Sequence, residues 1–219
     1  MSQELWNAVD DYFNAMLVRP DSVLDEALAA SAAAGLPPIA VSASQGKLLH
    51  VMARMVGAGR ILELGTLAGY STIWLGRALR AEGRLVTIEA DPNHAAVARA
   101  NIARAGLVSR VDLRVGRALE VLPTLAGEEP FDLVFIDADK ANIPAYFAWS
   151  LDHTRRGGVI IVDNVVRDGE VIQAESEDPS VRGVRTFMEM VRNERRVTAT
   201  AVQTVGSKGY DGFAIAMVV

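Results

Sequence analysis

The chain contains no cysteine, which excludes disulfides, thiolate-bound zinc and a cysteine nucleophile together. Its three histidines, His50, His94 and His153, fall in helix-like segments without ligand spacing and read as structural. No apolar run reaches the roughly 18 residues needed to span a bilayer. The opening MSQELWNAVDDYF lacks the basic flank and apolar stretch of a signal peptide. Internal repeats, low-complexity tracts and linkers are missing as well. A formal net charge of -5 disfavours a broad nucleic-acid footprint. These absences lead us to expect a cytoplasmic protein that does not enter the membrane. With 219 residues, 50% of them hydrophobic and 22% charged, one domain with a sizeable core is expected across 1–219.

What is present falls into two parts. Leu5, Val9, Tyr12, Phe13 and Met16 recur at helical spacing over 4–18. DEALAASAAAG forms a second helix closed by Gly35 and Pro37-Pro38, and 42–57 a third, with Leu48, Leu49, Met52 and Val56 on one face. Residues 1–57 thus read as a helical extension to an α/β core over 58–219. In that core RILELG, RLVTIEA, RVDLRVG, FDLVFID and GGVIIVD are short β-rich runs. Helix-like segments separate them, which is the grammar of βαβ units in a mostly parallel sheet covered on both faces. After a polar loop and a helix near 182–193, RRVTATAVQT and GYDGFAIAMVV read as an antiparallel hairpin closed by VGSKG.

Ligands of such sheets sit beyond the carboxyl ends of the strands. The first strand ends in Glu63-Leu64-Gly65-Thr66-Leu67-Ala68-Gly69-Tyr70-Ser71, where glycines allow a sharp turn and Ser71 can cap the next helix. The second ends in Glu89, placed to accept both hydroxyls of a ribose. The spacing E-x-G-x-x-x-G is not the G-x-G-x-x-G that aims amides at a pyrophosphate. A carboxylate at Glu63 facing the ligand repels a pyrophosphate and suits the amine-bearing tail of S-adenosylmethionine. This counts against a nicotinamide-dependent oxidoreductase.

The fourth and fifth strands end in FIDADK and IIVDNVV. Adjacent parallel strand ends are neighbours, so Asp137 can converge with Asp163 and Asn164. Two carboxylates and an amide are hard oxygen donors, suited to Mg²⁺, Mn²⁺ or Ca²⁺ and poor for zinc. Lys140 is expected in the first turn of a helix, three residues after Asp137, where an amine can serve as general base toward a phenol acidified by a cation.

ELGTLAGYST, IEADP, VGRALEVLP, FDLVFIDADKAN and GGVIIVDNVV together resemble the cation-dependent class I O-methyltransferases, which include the catechol and caffeoyl-CoA enzymes. The resemblance covers nearly the whole chain and is closest to bacterial members acting on catechol-bearing phenolics. It implies a Rossmann-like, seven-stranded fold and methyl transfer from S-adenosylmethionine to a catechol-type hydroxyl. It implies that Val41, Glu63, Gly65, Thr66, Ser71, Glu89, Ala118, Asp137 and Asp139 hold the cofactor. Asp137, Asp163 and Asn164 match metal ligands, Lys140 the base, and the family implies a homodimer. Arg167 and Asp168 stand where the plant enzymes carry an aromatic residue and an asparagine, which argues against a CoA-thioester acceptor. A related subgroup methylates hydroxyuridine in tRNA. For that alternative, Arg155-Arg156, Arg192 and Arg195-Arg196 are the candidate phosphate contacts.

Overall fold

Three helices open the computed structural model, which describes residues 2–219. They are α1 (Gln3–Leu17), α2 (Ser22–Ala33) and α3 (Ala43–Met55). Each begins on a polar side chain, Ser2, Asp21 or Ser42, whose oxygen accepts an amide of the first turn. Strands and helices then alternate: β1 (Arg60–Leu64), α4 (Tyr70–Ala78), β2 (Arg84–Glu89), α5 (Pro92–Arg104) and β3 (Val111–Val115). α6 (Ala118–Val121), β4 (Phe131–Ile136), α7 (Ile143–His153), β5 (Thr154–Asp163), α8 (Pro179–Asn193), β6 (Val197–Gly206) and β7 (Gly209–Val218) complete the chain.

The sheet runs in the order β3-β2-β1-β4-β5-β7-β6. Its first five strands are parallel, and β7 runs antiparallel between β5 and β6. This is the mostly parallel seven-stranded sheet with an antiparallel hairpin that the sequence leads one to expect. The order reverses between β1 and β4, the switch point where open sheets place their ligands. Apolar residues fill both faces. Leu62, Leu64, Val134 and Ile136 pack with Phe147 and Phe187 on one side. Ile61, Leu133 and Phe135 pack with Ile73 and Leu49 on the other.

Several elements differ from expectation. α3 buries Gly46, Leu49 and Ala53 and leaves Leu48 exposed. A Cβ at Gly46 would lie 2.4 Å from the Trp74 ring, so the helix approaches α4 closely at its small residues, while Leu49, Met52 and Val56 of the expected stripe pack on the core. ALEVLPTLAG forms only the single turn of α6 and then a 3-10 turn over Leu122–Leu125, where Pro123 has no N–H to continue an α-helix. α8 starts at Pro179, earlier than expected, because Asp178 Oδ1 accepts the Ser180 amide at 2.7 Å. β5 begins at Thr154, where Asp132 ties the strand bottoms together through Arg155 and the amides of Gly59 and Arg60. No helix of the described residues is long and apolar enough to cross a membrane.

Candidate active site

A cavity of about 750 Å³ opens at the carboxyl edge of the parallel strands, within the size range of small-molecule sites. Strand order maps position along it. Glu89, Gly116 and Ala118 line the β2–β3 end, Gly65, Thr66 and Ser71 the middle, and Asn164, Arg167 and Lys208 the end toward the hairpin.

Gly65 has φ 93, and a Cβ there would lie 2.3 Å from the Asp137 carbonyl oxygen. Only glycine lets the β1 turn pass so close to the end of β4. Gly69, at φ 82, is the N-cap of α4 and gives it no side-chain bond, so Ser71 is not the cap. Ser71 lies inside the first turn, and its hydroxyl donates to Glu63 Oε1 at 2.6 Å. Glu63 and Thr87 are register partners, so their side chains share the sheet face that α4 covers. Hydroxyls of Thr72 and Thr87 donate to the other Glu63 oxygen. Glu63 therefore lies behind the cavity wall with no exposed surface, instead of facing a ligand. Burial pushes its carboxyl up to about 7, with the three hydroxyls opposing that rise.

Glu89 braces the same turn from the next strand. Its Oε2 accepts the amides of Thr66 at 3.1 Å and Leu67 at 2.8 Å, and Oε1 accepts that of Asp91 at 2.9 Å. A carboxylate has about four lone-pair sites, so acceptor capacity remains toward the cavity. Val41, ahead of α3, and Ala118, opening α6, line the wall as apolar surface. Asp139 also lines it and accepts hydrogen bonds from Tyr146 and Asn142. Burial, reinforced by Asp139, pushes the Tyr146 phenol well above its ordinary value.

Ile136 and Val162 are paired in register, so the residues that follow them, Asp137 and Asp163, leave adjacent strands side by side. Lys140 Nζ donates to Asp137 Oδ1 at 2.7 Å. The lysine is buried in a 3-10 turn, Lys140–Asn142, just ahead of α7 and not in its first turn as expected. Asp163 is 5% exposed; its Oδ2 accepts from Gln45 Nε2 at 2.6 Å and its Oδ1 from the Asn164 amide at 2.9 Å. Burial, with Asp137 adding to it, pushes the Asp163 carboxyl up. Asn164 stands at φ 57, an uncommon conformation for a side-chain-bearing residue. Among the described residues no three His, Cys, Asp or Glu side chains form a metal cluster. This set has two carboxylates and one amide, all hard oxygen donors, and two neighbouring carboxylates with a single ammonium, paired to Asp137, favour a further cation.

The structure adds residues that the sequence did not flag. Gln45 sits three positions after the Ser42 cap, an ordinary capping-box position, yet its amide reaches Asp163. His94 lines the cavity with Nδ1 3.6 Å from Glu89 Oε1, although no ligand spacing marked it. Asp211 Oδ1 accepts the amides of Val166 at 3.0 Å, Arg167 at 3.1 Å and Gly212 at 2.9 Å, so β7 holds the loop after Asn164. Arg155 and Arg196 lie at the opposite edge of the sheet, where β5 and β6 begin, and are paired with Asp132 and with Glu194 and Asp152.

Comparison with known proteins agrees with this geometry. A family model described as O-methyltransferase matches residues 16–215. A catechol O-methyltransferase of Niastella koreensis is 49% identical over 220 residues, covering 100% of both chains. A catechol O-methyltransferase of Mycobacterium tuberculosis is 54% identical over 210 residues, covering 96% of this chain and 94% of its own. The crystal structure of an O-methyltransferase from Bacillus cereus in complex with SAH superposes with a TM-score of 0.98 at 55% identity, with 100% of each chain covered. On this fold, this cavity and these matches, the chain belongs to the O-methyltransferase family.

Proposed function

We propose that this protein transfers the methyl group of S-adenosylmethionine to one hydroxyl of a catechol-type phenol, with a divalent cation at the acceptor end of the cavity. One observation carries the reading. Asp137, Asp163 and Asn164 leave adjacent strands side by side, with Lys140 on the first carboxylate, in a cavity that continues to Glu89. The relatives named as catechol O-methyltransferases support the acceptor, and the SAH-bound neighbour supports the donor.

In this reading Glu89 takes the ribose hydroxyls, and Val41 and Ala118 flank the adenosine. Gly65, Thr66 and Ser71 line the methionine portion, with Glu63 bracing Ser71 from behind and Asp139 bordering the donor beside Asp137. Asp137, Asp163 and Asn164 would hold Mg²⁺, with Mn²⁺ or Ca²⁺ of the same donor chemistry, and the cation would supply positive charge that orients and acidifies the phenol. Gln45 fixes the orientation of Asp163. Lys140 Nζ, held 2.7 Å from Asp137, would take the phenol proton as the neutral amine, its own proton having first passed to solvent. The oxygen then attacks the methyl carbon as its bond to sulfur breaks, leaving SAH. Much of the acceleration comes from holding oxygen and carbon about 3–3.5 Å apart.

The protein also acts as a homodimer in this reading. α1 buries none of its residues and presents Leu5, Val9, Tyr12, Phe13 and Met16 outward, beside an edge strand, β6, with Val202 and Val205 exposed.

The test is mass-detected methyl transfer to a catechol, a monophenol and an unmodified tRNA transcript. Methylation of the catechol alone is expected. Methylation of tRNA alone would replace the acceptor with RNA, a reading that Arg155 and Arg196, distant from the cavity and already paired, do not favour.

A further inference from the structure

Beyond the Asp137–Asp163 cluster, at the end of the cavity away from Glu89, two cations line the wall: Arg167 and Lys208. Neither is in an ion pair among the described residues. Arg167 Nε is enclosed and without a hydrogen-bond partner, which is costly for a group that carries charge. Lys208 Nζ donates to the carbonyl oxygen of Pro38 at 3.1 Å, which leaves two of its three N–H groups to bind elsewhere.

The neighbouring acids are turned to other work. Asp10 Oδ2 accepts the Ser207 amide at 2.8 Å, and Asp211 Oδ1 accepts three backbone amides, that of Arg167 included. Asp168 is exposed and unpaired with its neighbour Arg167. Arg167 and Asp168 stand at φ 55 and φ 54, a strained pair whose first member is held by Asp211 through its amide. Such strain clusters where a side chain must be aimed. A smaller cavity of about 250 Å³ shares Gln45, Asp163, Asn164 and Lys208 with the main one, so there is room past the cluster.

We infer that Arg167 and Lys208 recognise a carboxylate on the acceptor, at the end remote from its two hydroxyls, so that the preferred substrate is a catechol acid. The inference rests on the methyltransferase reading and narrows its acceptor. The Arg167 side chain makes no hydrogen bond and only its Nε is enclosed, so the two terminal nitrogens of its fork, with the two open donors of the Lys208 ammonium, suit a planar carboxylate. They repel an amine-bearing catechol and gain less from a neutral one, whose hydrogen bonds lack the second charge. The main cavity holds a small acceptor beside the donor, which favours a phenolic acid over an RNA phosphate.

The test compares kcat/KM, with Mg²⁺ present, for 3,4-dihydroxybenzoate, its primary amide and a catecholamine. The wild-type protein is expected to prefer the acid over the amide by roughly tenfold or more through KM, the scale of one charge-assisted hydrogen bond. Arg167→Gln and Lys208→Gln are each expected to cut the acid-to-amide ratio by roughly that factor, with Arg167→Lys keeping part of it. Lys208→Gln keeps a donor for the Pro38 carbonyl and sits in an exposed turn, so it reads charge apart from folding. Equal use of acid and amide by the wild type, or a ratio that neither glutamine variant moves, overturns the inference and leaves the methyltransferase reading intact. Methylation of none of the three, or of tRNA alone, removes both.

Discussion

At the scale of single residues, the site is built from carboxylates in unlike settings. Glu63 is satisfied by three hydroxyls and sealed behind the wall. Glu89 is satisfied by backbone amides yet keeps a face to the cavity. Asp163 is buried beside another carboxylate, with a glutamine amide and one backbone N–H as partners. In the proposed reading that last arrangement gives little to folding and much to cation binding. Asp163→Ala is therefore expected to lower kcat/KM by at least about 100-fold, since even partners behind a metal ligand are worth 10–100-fold. The cation-free variant should unfold at a temperature no lower than the wild type, because a carboxylate held in a site that disfavours its charge is removed. A variant that turns over normally would take Asp163 out of the cation site; one that cannot fold would make its role structural.

At the scale of elements, the reactive residues are placed by close approaches between backbones. The turn carrying Lys140 is fixed from behind by α8, where a Cβ at Gly183 would lie 2.2 Å from the Lys140 carbonyl oxygen. Gly183→Ala gains roughly 1 kcal/mol of helix propensity, but it must push that turn toward the cavity. The expected result is a lower kcat with unchanged cofactor affinity, read by steady-state kinetics beside calorimetric titration of SAH. Full activity with raised stability would mean that the turn yields freely. This approach was not legible in the sequence, because a glycine inside a helix looks the same whether it meets solvent or a neighbouring backbone. Asp137 and the Asp163-Asn164 pair were legible, because a parallel sheet forces residues at matching strand ends to be neighbours. Gln45 and Asp211 were hidden for the opposite reason. Each acts across a long separation in the chain, Gln45 on Asp163 and Asp211 on Val166, and no local spacing records such a contact. Glu63 was placed on the right turn but on the wrong side of it. Strand alternation aims it at α4, and the E-x-G spacing alone does not reveal which face the helix will cover.

At the scale of the molecule, the alternation of strands and helices dictated the sheet, and the sheet dictated the order of functions along its edge. In the proposed reading the adenosine end lies over β2 and β3, the transfer point over β1 and β4, and the acceptor end over β5 and the hairpin. The amphipathic pattern of α1 does form a helix, yet its apolar face stays largely uncovered within one copy of the chain. Sedimentation equilibrium should therefore show a dimer. Replacing Tyr12 and Met16 together with glutamate should give a folded monomer, since stable interfaces need about 800 Å² per partner and tolerate charge poorly at their centre. A wild-type monomer at high concentration would instead leave that face for another partner.

The account stands or falls on the cation. Methyl transfer from S-adenosylmethionine to a catechol, followed by mass spectrometry in EDTA and again after Mg²⁺ is restored, measures it directly. The structure predicts that turnover collapses in EDTA and returns with Mg²⁺, while SAH binding in EDTA persists. Undiminished methylation in EDTA would contradict it, and would leave Asp137 and Asp163 without the charge they are arranged to meet.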